Sequence, residues 1–264
     1  MTVGQRLPIS VCLIAGNEAH RIRRTLESVA DWAGEIIVAT DDKVTDGTEQ
    51  IAAACGAKVV RGAWKDHSTH RNLAAGQATH PWLLALDADE VVSPALRDEI
   101  IQVVATAGAG ANSTYVAYSF PRCTLYCGRW IRHGDWYPDR IVRLWQRGRA
   151  HWSGIAHEKL EVQGRIGKLN HDLLHYIAET IDQQIHKTAR YADDFVRQRA
   201  REGRKVSFID LLVRPLWRFC RAYVFRLGFL DGWQGCYIAW TTAFYTATRY
   251  AKVLAAQADH PEAH

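Results

Sequence analysis

The sequence predicts an α/β fold: a doubly wound, mostly parallel sheet with antiparallel additions, followed by a helical region. Three observations lead there. Short apolar runs alternate with helical periodicity through the first hundred residues. A polar cluster stands at the end of three of those runs. From about Ile177 the pattern turns helical and stays so.

Residues 9–15, apolar but for Ser10, form a near-continuous apolar run, the signature of a parallel strand buried on both faces. Gly16-Asn17-Glu18 closes it. Ile22, Leu26 and Val29 then recur at helical spacing, with Arg21, Arg23 and Arg24 between them. Residues 35–39 make a second strand. Asp46-Gly47-Thr48 is a turn opening a short helix that Gly56 ends in the left-handed conformation. Residues 58–61 form a third strand, 67–77 a helix, and 82–86 a fourth strand ending at Asp87. Ser93-Pro94 starts another helix, with serine as N-cap and proline at the first helical position. Strand and helix in alternation imply right-handed crossovers and a parallel sheet, whose ligands bind at the carboxyl ends of the strands. Asn17-Glu18, Asp41-Asp42 and Asp87-Ala88-Asp89 fall there.

Between residues 115 and 166 short aromatic and β-branched runs (115–120, 140–145, 160–162) alternate with glycine turns, which suggests antiparallel strands and long loops. Beyond them, residues 197–226 hold nine basic and two acidic residues, a net of +7. Phe208, Leu212, Leu216, Phe219 and Tyr223 share one helical face, and Arg214, Arg218 and Arg221 another. A basic amphipathic helix of this kind suits an anionic membrane surface.

The chain has 264 residues, 48% hydrophobic and 23% charged, and a net charge of +5. This composition is that of a globular protein, and its mild basicity admits an anionic partner without naming one. No run of eighteen apolar residues is present, so no span of a membrane is expected. The first residues lack the basic-then-apolar design of a secretory leader, and the six cysteines form no dense framework, so a reducing, cytoplasmic setting is expected. The basic residues cluster on an amphipathic helix and do not interleave with a stacking platform, so nucleic acid is not the expected partner. The spacing His171-x3-His175 matches that of metal ligands on a helix, but without an acidic residue at similar spacing the pair reads as structural.

The turn after the first strand carries neither GxGxxG nor GxxxxGK[ST]. A nucleotide bound here lacks a glycine-rich phosphate cradle, so another cation must offset its charge. Asp87-x-Asp89, at the end of an apolar strand, supplies one: two carboxylates can hold a hard divalent cation, magnesium or manganese, while diphosphate oxygens complete its shell.

The stretches ISVCLIAGNEAHRIRRTLESVADWAGEIIVATDD, TDGT, WKDHSTHRNLA, WLLALDADEVVSP, GRWIRHGDWYPDRIVRLWQRG and AHE together resemble the family 2 glycosyltransferases of GT-A fold. Among these they are similar to the lipopolysaccharide core biosynthesis glucosyltransferases of the WaaE/KdtX type. The resemblance covers residues 8–165 well and the helical tail loosely. It implies a GT-A nucleotide-sugar-binding and catalytic domain over residues 1–170 and a helical, basic amphipathic region over 171–264. It implies a metal-dependent, inverting hexosyltransferase that takes glucose from UDP-glucose to a lipid-linked acceptor, a heptose of the lipopolysaccharide inner core, at the cytoplasmic face of the inner membrane. Transfer to polyprenyl phosphate or another polysaccharide precursor, and a non-catalytic nucleotide-sugar-binding module, are the alternatives.

By the same resemblance, Asn17, Glu18, Asp41, Arg71 and Asp87 surround the donor nucleotide. Asp89 and Asp87 hold the metal, Mg2+ or Mn2+, and His157 is expected to complete its shell or to hold the acceptor. Glu158, in the His157-Glu158 pair, is the expected base that takes the acceptor hydroxyl proton, with Asp135 and Asp139 as alternatives. Asp135, Trp136 and Tyr137 form the expected acceptor site, the two rings offering faces on which sugars stack. In one place the chain departs from the family pattern. Ala39-Thr40 precede the acidic pair and Lys43-Val44 replace Gly-Ser, lengthening by one residue the loop that carries Asp41.

Overall fold

A computed structural model describes residues 6–108, 114–154, 158–177 and 181–259. The chain forms two compact units, Met1–Cys123 with Asp139–Tyr176, and Thr124–Pro138 with Ile177–His264. Twelve strands and seven α-helices occur among the described residues. The strands are β1 (Leu7–Ala15), β2 (Ala33–Asp41), β3 (Lys58–Gly62), β4 (Trp82–Asp87), β5 (Glu90–Val92), β6 (Ala117–Tyr126), β7 (Arg129–Ile131), β8 (Asp139–Gln146), β9 (Ala150–Ser153), β10 (Lys159–Val162), β11 (Ile166–Lys168) and β12 (Leu173–Tyr176). The helices are α1 (Ile22–Glu27), α2 (Thr48–Ala54), α3 (His67–Gly76), α4 (Pro94–Gly108), α5 (Ile181–Glu202), α6 (Phe208–Cys220) and α7 (Gly232–Asp259).

In the first unit the sheet runs β3-β2-β1-β4-β8-β6-β12-β5, and β11 pairs with β6. The four leading strands are parallel, with Val11 between Ile36 of β2 and Leu84 of β4. β8 is antiparallel to β4 and to β6, the additions anticipated from the glycine-punctuated runs. β1 is central and buried on both faces. Ile9, Val11 and Leu13 enter one core cluster, Cys12 and Ile14 the other, which is why its sequence shows no polar alternation. The order 3-2-1-4 reverses between β1 and β4, so a crevice opens at their carboxyl ends.

Local chemistry fixes the loops around that crevice. α1 has no side-chain cap; its approach is braced from across the crevice, where Glu18 N donates to Thr48 Oγ1 at 2.8 Å and Ala19 N to Asp46 Oδ2 at 2.9 Å. Gly47, at φ +91°, supplies the left-handed turn that precedes α2. Asp66 caps α3 by accepting from Thr69 N at 2.7 Å, and Ser93 caps α4 by accepting from Leu96 N at 3.2 Å. Residues 171–176, grouped with the helical region by the sequence reading, include β12, which pairs antiparallel with β5 and places His175 opposite Glu90. The His171-x3-His175 spacing is therefore not helical: His171 meets Glu99 at 3.2 Å, while His175 lies on a strand.

In the second unit α5, α6 and α7 gather around Val206, Tyr250 and Val253, and β7 pairs with Thr124–Tyr126 of β6 around Tyr126, Ile131 and Ile238. Ser207 and Asp210 form a reciprocal capping box at the start of α6. After α6 comes a π-helical turn, Arg221–Phe225, and a short 3-10 turn, Gly228–Asp231. A Cβ on Gly235 would overlap the Gly228 carbonyl oxygen, so this turn needs glycine. Asp231, 3% exposed, secures it by accepting from the backbone N–H groups of Arg132 and His133 at 2.9 and 2.7 Å. Arg218 and Arg221, expected on a free basic face, instead converge with Arg226 on Asp135 at 3.2–3.4 Å. A buried carboxylate whose side chain is 8% exposed requires such partners, and this one takes three.

Candidate active site

The crevice between β1 and β4 holds a cavity of about 300 Å³ within the first unit. β1 contributes Ile14 and Ala15, and the turn beyond it Gly16 and Glu18. Asp87, Ala88 and Asp89 come from the end of β4, Trp64, His67 and Arg71 from the β3–α3 segment, and Glu158 and His175 from further along the chain. Of the residues expected around the donor, Glu18, Arg71 and Asp87 line this cavity, together with Asp89, expected on the metal, and Glu158, the expected base. Asn17 and Asp41 stand at the ends of β1 and β2, outside its lining; Asn17 Oδ1 accepts from Thr45 N at 3.1 Å and Asp41 Oδ1 from Lys43 N at 3.4 Å. His157 lies outside the described residues. Asp135, Trp136 and Tyr137 belong to the second unit, where Asp135 is clamped by arginines and Trp136 packs edge-on against Tyr126 at 5.1 Å.

The carboxylates of the cavity are held in different ways. Asp87 accepts from Arg71 Nη2 through Oδ1 at 2.6 Å and from Arg143 Nη2 through Oδ2 at 2.7 Å. Burial pushes its carboxyl up, but the Arg143 and Arg71 charges outweigh that and hold it well below the ordinary carboxylate range. Arg143 in turn faces Glu90, a fully buried carboxylate, at 3.7 Å. Arg122 joins Glu90 at 3.3 Å to Asp139 at 2.6 Å. Burial disfavours both of these guanidinium charges; for each, the neighbouring carboxylates reverse the effect and raise the pKa above the ordinary value. Trp152 lies against two guanidiniums, 4.8 Å from Arg71 and 5.4 Å from Arg143.

Arg71 also reaches Glu158 Oε1, at 3.1 Å from Nη2, so one guanidinium ties the end of β4 to the expected base. Asp89 is held more loosely. Its Oδ2 lies 3.2 Å from Arg21 Nη1 and its Oδ1 3.6 Å from His175 Nε2. Among the described residues no three His, Cys, Asp or Glu side chains cluster closely enough to hold a metal by themselves. Asp89 offers a hard carboxylate to a cation whose shell phosphate oxygens would complete, the usual manner of magnesium, and His175 Nε2 stands beside it at 3.6 Å from Oδ1.

The sequence reading missed Trp64, His67, His175, Arg143 and Glu90. Two signals were available. Trp64 stands in the loop at the carboxyl end of β3, where ligands bind, and packs on His70 at 4.5 Å. Arg143 interrupts the apolar run of β8, where an isolated charge must find a buried partner. Nothing in the local sequence joins His175 to Asp89; that follows from the β12–β5 pairing.

A mostly parallel α/β sheet with antiparallel additions, and an acidic, arginine-braced cavity at its switch point, is the arrangement of the GT-A fold. The profile described as "Glycosyl transferase family 2" matches residues 10–150. The chain is 29% identical over 255 residues to a glycosyltransferase of Rickettsia typhi, covering 93% of this chain and 86% of that protein. It is 28% identical over 257 residues to the lipopolysaccharide core biosynthesis glycosyltransferase LpsC of Rhizobium meliloti, covering 94% and 92%. The structure of the mannosyltransferase PcManGT from Pyrobaculum calidifontis, in complex with GDP-Man and Mn2+, is similar at TM-score 0.50 and 15% identity, over 97% of this chain and 76% of that one. The protein belongs to glycosyl transferase family 2 and is a glycosyltransferase.

Proposed function

We propose that the protein is an inverting hexosyltransferase that takes glucose from UDP-glucose and passes it to a lipid-linked acceptor, a heptose of the lipopolysaccharide inner core. The observation that carries this reading is the cavity at the β1–β4 switch point, where Asp89, Arg71 and Glu158 converge. The name of the Rhizobium relative, matched over nearly the whole chain, supports the acceptor class.

In this reading Glu158 is the base. Arg71 engages its Oε1 and fixes the carboxylate, leaving Oε2 to take the acceptor proton as the hydroxyl attacks the anomeric carbon. Asp87, saturated by Arg71 and Arg143, positions the donor-facing end of β4, and the metal contact expected of it passes to Asp89 with His175. A divalent cation bound there supplies positive charge to the departing nucleoside diphosphate. Trp64 gives the cavity an aromatic wall, 42% exposed, suited to a base or sugar face. Among the described residues no helix is long and apolar enough to cross a membrane. The protein works as a peripheral enzyme on the cytoplasmic face of the inner membrane, where a lipid-linked acceptor is presented.

The test is a donor panel of UDP-glucose, UDP-galactose, UDP-N-acetylglucosamine, GDP-mannose and ADP-heptose, assayed with heptose-terminated lipid acceptor. UDP-glucose should give product that EDTA abolishes and magnesium or manganese restores. Preference for another donor overturns the sugar assignment, and full turnover in EDTA overturns the metal role.

A further inference from the structure

The second unit carries an apolar surface that its own core does not use. Among the described residues twenty large apolar side chains are exposed, and fourteen of these fall between Phe208 and Phe244. No residue of α6 is buried. Phe208, Leu212 and Leu216 repeat at four-residue spacing on α6 and are 57–66% exposed; Trp217 flanks them at 55%. On α7, Trp233, Trp240 and Phe244 recur at intervals of seven and four, on one helical face, and are 57–61% exposed. Ring contacts join the pieces: Phe219 to Trp240 at 4.7 Å and Trp217 to Phe225 at 5.6 Å. Exposed apolar side chains gathered in this way mark an interaction site.

The charges decide what covers it. Arg218 of α6 and Arg221 of the turn after it are committed to Asp135, and Arg214 to Asp210 one helical turn back at 2.6 Å, so these arginines serve internal ion pairs more than they attract a partner. Counted against Asp135 as well, segment 197–226 still keeps a net of +6 (nine basic, three acidic), with Arg204 and Lys205 exposed just before α6, Arg204 sharing Glu202 at 3.5 Å. An apolar, tryptophan-bearing face beside surplus positive charge is complementary to an anionic bilayer, into whose headgroup–acyl boundary aromatic and aliphatic side chains partition. α7, for all its 28 residues, is not apolar enough to span, which suits a helix lying in that boundary.

We propose that the α6–α7 face inserts into the surface of an anionic bilayer, so that the protein is held there by apolar burial, with the basic residues adding only a screened attraction. This deepens the peripheral-membrane reading above and rests on it.

The test is flotation of the full chain with vesicles of phosphatidylcholine and phosphatidylglycerol at 3:1 (about that ratio gives a strongly anionic surface), in low salt and in ~0.5 M salt, where exposed charge is screened within a few ångströms. Wild-type binding should persist in high salt. The triple variant Leu216→Ser, Trp217→Ser, Phe225→Ser removes exposed side chains only and should lose roughly 1000-fold in partitioning, at about tenfold per large apolar side chain withdrawn from lipid. Arg204→Gln with Lys205→Gln should lose only a few-fold, and only in low salt. Circular dichroism and donor hydrolysis confirm that the variants are folded. If wild type fails to float, the peripheral reading itself falls. If wild type floats but the apolar triple variant floats equally, or if high salt releases wild type, insertion is wrong while peripheral binding stands. A concentration-dependent dimer that the triple variant dissolves, with vesicle binding unchanged, makes the face a contact between copies and also overturns the proposal.

Discussion

Replacing Arg143 by methionine tests whether the buried ion network is what fixes the end of β4. The guanidinium, 8% exposed, bonds Asp87 at 2.7 Å and faces fully buried Glu90 at 3.7 Å. Methionine fills much of the volume and removes the charge. Breaking a buried pair on one side costs about 3–5 kcal/mol. The lower figure applies here, because Arg71 still holds Asp87 at 2.6 Å and Arg122 still faces Glu90 at 3.3 Å. About 3 kcal/mol corresponds to a fall of roughly 6–12 °C in Tm for a chain of this size, read by calorimetry at neutral pH. The pH dependence carries a second check. Asp87 has a depressed carboxyl pKa in the folded state, so its contribution is complete above the unfolded value of ~3.9 and is lost as pH falls through the folded one. The gap between wild type and variant should therefore be full at neutral pH and narrow only below about pH 4. A fall of less than about 2 °C in Tm, under 1 kcal/mol, or a gap that widens in acid, would refute the reasoning.

Further outcomes are expected. Glu158→Gln should leave donor affinity within a few-fold while turnover falls by roughly 10²–10⁴; parallel loss of donor binding would move Glu158 from base to donor contact. Asp89→Asn and His175→Gln should each raise the manganese concentration needed for half-maximal activity, and an unchanged requirement in His175→Gln removes that residue from the metal site. Cys12, whose thiol burial and the Glu35 charge push up to about 12, should resist Ellman's reagent at pH 8 while exposed Cys127 reacts. The Asp210 carboxyl, lowered to about 2 by hydrogen bonds from Ser207 N and Arg214, should keep the start of α6 capped in mild acid. That cap is lost only as pH falls through about 2, which amide exchange at the helix terminus would follow.

The sequence alone determined the alternation of elements and the end of the sheet that carries the chemistry. Apolar runs such as residues 9–15 and caps such as Ser93 with Pro94 act within a few residues of themselves, so period and punctuation reveal them. Asp87 and Asp89 were legible because a strand end is a local feature. The sequence could not say how those two aspartates differ. Asp87 is neutralised by Arg71 and Arg143, 16 and 56 residues away, and Asp89 meets His175 only because β12 pairs with β5. Likewise the basic residues of 197–226 were countable, but the commitment of Arg218 and Arg221 to Asp135 was not. A charge advertises itself in sequence, whereas its partner is chosen by burial, which obliges each carboxylate and guanidinium taken from water to find a counterion wherever the fold brings one within reach.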